Sequence, residues 1–215
     1  MKRTICIALA IFLSVISLFA DGTGLHVVVI DAGHGGKDPG AVSSDKKTYE
    51  KSIVLDIAQN LSERIRKAYP DVKVVMTRSS DKYVTLNDRA EIANKADADL
   101  FISIHINASA KNSPNGYSVH ILGQSSDTNK DLFAYNMDVC RRENSVITLE
   151  DDYTTKYQGF DPSDPESFIF MTLMQNSYLE QSMKFAQVIS RSLKGGPIKA
   201  DRGIWQNPYY VLWKT

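Results

Sequence analysis

Cysteine is almost missing from this sequence: Cys6 and Cys140 are the only two in 215 residues. Two are too few for a disulfide framework or a zinc site built on thiolates. Excess positive charge is missing too. Lys plus Arg number 25 and Asp plus Glu number 25, for a net charge of zero. With no basic surplus to neutralise phosphates, a dedicated nucleic-acid-binding protein is not expected. Only 12 Gly and 7 Pro are present, which excludes collagen-like and low-complexity character. What is there is ordinary globular composition, 43% apolar and 23% charged. Disordered chains lack such an aliphatic content, and the length suits one domain with a full core of its own.

Long apolar runs are absent except at the N-terminus. Lys2 and Arg3 precede seventeen uncharged residues, 4–20, and the polar Asp21-Gly22-Thr23-Gly24 follows. A basic start, an apolar run and a small residue, Ala20, at its end read as a signal peptide over residues 1–20. An uncleaved anchor is the alternative, since seventeen residues lie at the lower edge of a bilayer span. Cleavage would leave Cys140 as the sole cysteine. It would give an exported protein, periplasmic or extracellular, with no stable membrane insertion.

Along the rest of the chain, short β-branched runs alternate with helical patterns. His26–Asp31 reads as a strand entering the glycine-rich turn 32–36. Residues 50–69 repeat apolar positions at helical spacing (Ile53, Val54, Ile57, Ala58, Leu61, Ile65), and Pro70 ends them. Val72–Met76, Leu100–His105 and Gly116–Leu122 read as strands, and Thr85–Ala96 as a helix. The expected fold is α/β, a twisted, mostly parallel, hydrolase-like sheet with helices on both faces. Beyond Gly123 the sequence predicts a helix over 127–142, an irregular acidic insert reaching Glu166, a long helix over 167–193, and a closing segment 205–215 with no assigned element. Asp88 and Arg89 read as surface or helix–helix ion pairs.

Three residues carry chemistry. His34 lies just past the first strand, His105 ends the third, and Glu50 opens the first helix. In an open α/β sheet, ligands gather beyond the carboxyl ends of the strands. All three therefore reach one rim, as a two-histidine, one-glutamate set that suits catalytic Zn²⁺ with a fourth position for water. Glycines 33, 35 and 36 allow the tight turn that aims His34 at the cleft. Each residue alone would be an ordinary loop or helix-start residue, and the turn could also cradle a phosphate. It lacks the spacing that makes phosphate loops specific. His26 falls at the opposite rim and His120 inside a strand.

Residues 28–41 (VVIDAGHGGKDPGA), Glu50, Ser103–Ala108 (SIHINA) and Asn115-Gly116 together resemble the zinc-dependent N-acetylmuramoyl-L-alanine amidases of family 3. The resemblance implies zinc held by His34, Glu50 and His105, and hydrolysis of the amide between N-acetylmuramic acid and L-alanine in peptidoglycan. Asn107, inside the second motif, would then touch substrate. The catalytic domain would cover 25–215, with the acidic insert at 124–166. Some relatives carry a helical insert there that covers the zinc until a partner removes it. An activator protein is thus an expected partner, and Glu150 the carboxylate expected to reach the open zinc position; a solvated loop is the plainer alternative. The family also carries a catalytic glutamate on a further strand. The last glutamate here is Glu180 and the last acid Asp201. The general base is therefore expected beyond Thr215, so that the chain reads as an amidase domain lacking its last strand and helix. An inactive zinc- or peptidoglycan-binding module of the same fold is the other reading.

Overall fold

A computed structural model describes residues 24–107, 115–123, 130–157, 160, 166 and 178–215. The proposed signal peptide, Ala108, Asp161, Asp164 and the first part of the long 167–193 helix lie outside the described residues. Among the described residues no helix is long and apolar enough to cross a membrane.

The first strand, β1 (Val27–Ala32), lies between β2 (Lys73–Met76) and β3 (Leu100–Ile104), and both pairings are parallel. Parallel neighbours require crossovers. The first is α1 (Glu50–Ala68), and the second contains α2 (Leu86–Lys95). Alternation along β1 assigns its two faces. Val28, Ile30 and Ala32 pack with Val54 and Ala58 of α1 and Val74 of β2. Val29 and Asp31 point the other way, where Arg89 of α2 meets Asp31. Helices therefore cover both faces, as the alternating pattern predicts. Each fully buried aliphatic side chain contributes about 1.5–3 kcal/mol, and β1 is buried along nearly its whole length.

A second parallel pair joins β4 (Tyr117–Leu122) to β5 (Asp201–Asn207). The helix α5 (Leu179–Leu193) packs on this pair. Between them run α3 (Lys130–Asn144), a 3-10 turn (Ser145–Leu149) and the short α4 (Tyr153–Lys156). The chain ends in α6 (Tyr210–Lys214), which packs against α2. Its Tyr210 joins Ile147, Tyr157 and Phe160 in a second buried cluster. Neither β5 nor α6 was expected. The β5 sequence, DRGIWQN, has no apolar alternation, and its strand form comes from the ladder that β4 offers.

Candidate metal centre

His34 is placed by the turn that follows β1. The amide of Gly33 donates to the Ile104 carbonyl at 3.1 Å, extending the β1–β3 ladder, and His34 then takes φ +60°. The return to the rim is made by the segment 41–49, closed by an antiparallel bridge between Val42 and Tyr49. The Glu50 amide donates to the Ala41 carbonyl at 2.8 Å, so Glu50 opens α1 beside the turn. His105 follows β3 directly. Residues 71 apart in sequence thus come within 3.1 Å, His34 Nε2 to His105 Nδ1. The three expected residues do form one cluster able to hold a metal ion.

Two glycines make room for these side chains. A Cβ on Gly33 would lie 2.4–2.8 Å from three atoms of the His105 ring. One on Gly40 would lie 2.6 Å from the His34 ring and 2.8 Å from Glu50 Oε2, at a backbone φ of +64°. Gly40 belongs to the same motif as His34, but its packing role needs the fold to become visible.

A fourth group completes the cluster. Glu143, in the last turn of α3, puts Oε2 3.2 Å from His34 Nε2 and 3.1 Å from His105 Nδ1. Glu50 Oε1 is 3.1 and 3.3 Å from the same two nitrogens. Ligands about 2.0 Å from a tetrahedral centre stand about 3.3 Å apart, so these spacings fit zinc bound by imidazole and carboxylate. Glu143, rather than Glu150, is the further carboxylate that stands against both imidazoles. Glu150 accepts from the hydroxyls of Tyr157 at 2.7 Å and Tyr83 at 3.1 Å. It fastens the segment after α3 to the loop before α2.

The donors are held from behind. Asp38 Oδ2 faces His34 Nδ1 at 2.7 Å, which turns Nε2 to the cluster, the carboxylate–histidine arrangement common at metal sites. Glu50 accepts from the amides of Ile106 at 2.6 Å and Ala41 at 2.8 Å. Burial alone would push the His34 imidazole down; Asp38, Glu143 and Glu50 outweigh it and bring it up to about 11. Partial desolvation opposes the His105 charge as well, although the residue stays open to solvent, and Glu143 and Glu50 raise that ring to about 9. Glu50, which burial would raise, is held at about 2 by His105 and His34. Glu143 is depressed further by the same rings. The two carboxylates thus call for two positive charges, and a dication on neutral imidazoles supplies the same two.

Arg89 is not at the surface. It is 2% exposed and pairs with Asp31 at 2.6 Å. Asn107 is exposed, two residues past His105. His120 is not among the cluster's three donors; its ring lies between Ser118 Oγ and Asn207 Oδ1.

Compared with known protein families, residues 28–215 match the N-acetylmuramoyl-L-alanine amidase model. The chain belongs to that family. AmiC of Escherichia coli O6:H1 is 46% identical over 96 residues, which cover 45% of this chain and 22% of AmiC. The sporulation-specific amidase of Bacillus subtilis is 44% identical over 81 residues, 38% of this chain and 31% of that protein. The matched stretch thus spans under a third of those relatives' own length. Among solved structures, an N-acetylmuramoyl-L-alanine amidase from Clostridium difficile 630 superposes with TM-score 0.57 and 26% identity, covering 90% of this chain and 75% of that one. AmiC2 of Nostoc punctiforme gives 0.51 and 27%, covering 90% and 76%.

Proposed function

We propose that this amidase-family chain is a zinc-dependent N-acetylmuramoyl-L-alanine amidase, acting on the amide between N-acetylmuramic acid and L-alanine in peptidoglycan. The observation that carries the reading is the set of three donor residues, His34, Glu50 and His105, brought together from the family's motifs. His34, Glu50 and His105 would hold the ion. When bound, zinc supplies a water of pKa near 7 and polarises the scissile carbonyl. The chain's own part is to hold and exclude. Asp38 fixes the His34 ring, Glu50 is locked by two amides, and Asn107 stands at the open rim to contact the glycan peptide. Because peptidoglycan lies outside the cytoplasmic membrane, residues 1–20 are read as the export signal.

Glu143 gives this reading a second part. Its carboxylate stands 3.1–3.2 Å from both imidazole nitrogens, where it would compete with water for a bound metal. The site as folded is held closed by α3, and an activator protein that lifts α3 would open it. Two measurements test the proposal. The protein should bind one zinc per chain, and chelation should abolish release of L-alanyl peptide from muramyl-peptide. Glu143→Ala in the cobalt-substituted protein should let azide perturb the visible spectrum, and should raise hydrolysis at least about tenfold. Loss of hydrolysis in that variant would instead make Glu143 a base. A wild-type protein that binds no metal would overturn the zinc reading.

A further inference from the structure

Behind the metal loop lie two arginines that the chemistry above does not use. Arg78 and Arg89 are 1% and 2% exposed. Arg89 donates to the Ala32 carbonyl at 2.7 Å and the His34 carbonyl at 2.8 Å. Arg78 donates to the same Ala32 carbonyl at 2.9 Å, to the Gly33 carbonyl at 2.7 Å, and to the Lys51 carbonyl at 2.7 Å. Three consecutive carbonyls of the turn are therefore bound, together with that of the residue next to Glu50. We propose that Arg78 and Arg89 are positioning residues: through these main-chain contacts they fix where His34 and Glu50 place their donor atoms. The inference rests on the zinc reading above.

The placement argues for direction rather than charge. A cation site gains nothing from two guanidinium groups behind it; Arg89 pairs with the buried Asp31, whereas the hydrogen bonds of Arg78 all go to main-chain carbonyls. What the turn needs is donors. His34 takes a left-handed backbone, φ +60°, uncommon for any residue with a side chain. Such a conformation persists only where its surroundings over-determine it. Carbonyls turned inward there would otherwise be buried without partners. A guanidinium offers five donors in a fixed planar fork, whereas an ammonium is a point charge on a flexible stem. Arg78 also bridges two ligands' segments: one nitrogen serves both Gly33 and Lys51, tying the turn of His34 to the start of the helix carrying Glu50.

The test uses Arg89→Lys and Arg78→Lys in the full chain. Zinc affinity is measured by competition with a chromophoric chelator, and amide hydrogen exchange of residues 33–36 is followed on the metal-free protein. Changes behind a metal's ligands commonly weaken binding 10–100-fold, and that loss is expected for each lysine variant. At least tenfold faster exchange at 33–36 should accompany it. Val74→Ala, which trims the core on β2 away from the turn, should lower the melting temperature yet leave zinc affinity and turn exchange at wild-type values. Arg78→Gln is the milder substitute should a lysine variant fail to fold. Zinc affinity within twofold of wild type in the arginine variants would overturn the proposal. So would an equal loss in Val74→Ala at matched stability. If the wild type bound no zinc, the exchange measurement would still decide the clamp separately from the metal.

Discussion

Replacing His105 by Ala is expected to lower zinc affinity by more than about 100-fold, since changes behind a ligand alone cost 10–100-fold. The ring supplies one of three donors and reaches both carboxylates of the cluster, Glu50 at 3.3 Å and Glu143 at 3.1 Å. Its loss also leaves the space over Gly33 empty. Metal content after dialysis, read by atomic absorption, checks this directly. Full retention of zinc would remove His105 from the site. Glu50→Gln should weaken binding less, though clearly. An amide carries no charge and cannot accept from both Ile106 and Ala41 as the carboxylate does.

The second large effect belongs to Asp31. This carboxylate is 1% exposed and gathers three strands at their carboxyl ends. Thr77 after β2 donates to it at 2.6 Å, Ser103 of β3 at 2.7 Å, and Arg89 pairs with it at 2.6 Å. Asp31→Asn keeps the shape and leaves Arg89 buried without its counter-charge, which should cost about 3–5 kcal/mol. The pH profile distinguishes this from simple loss of packing. Burial would raise the Asp31 carboxyl, but Arg89, Thr77 and Ser103 outweigh it and hold it below its ordinary value. A carboxylate depressed in the folded state adds stability that is present above its unfolded pKa, about 3.9. That part is lost as pH falls through the folded value. Wild-type urea midpoints should therefore decline below about pH 4, and those of Asp31→Asn should decline less steeply. A cost under about 1 kcal/mol would mean that the pair contributes little beyond its desolvation.

Much of this was readable in the residues. β1, β2, β3 and β4 announced themselves as short β-branched runs, and the rule that sites gather at carboxyl ends placed His34 and His105 together. The reading missed charged residues that sit inside apolar stripes. Arg89 falls among Leu86, Ala90 and Ala93, and Ala90 and Ala93 are buried. Glu143 falls among Val139, Cys140 and Ile147, all buried. In both helices the charge lies at the spacing of the buried face. A charge in that register was the available signal, because burial of an ion requires a partner. Choosing Glu150 from the acidic stretch weighed composition alone, and seven acids there look alike without the helix period. β5 left no such trace, since its pairing with β4 rather than its side chains makes it a strand.

The cluster draws its side chains from four separate stretches of chain, and each stretch must be in place before its side chain can join. His34 and Glu50 both belong to the first crossover, ahead of and at the start of α1, and can meet once β1 and α1 have packed. His105 joins only when β3 docks against β1, a contact across 71 residues, and such distant parallel pairings are slow to form. Glu143 joins only when α3 has folded back over the rim. A chain caught midway offers a metal two donors, and firm capture begins with the third. A metal held firmly at His34, Glu50 and His105 together would therefore require β1 and β3 to be paired already.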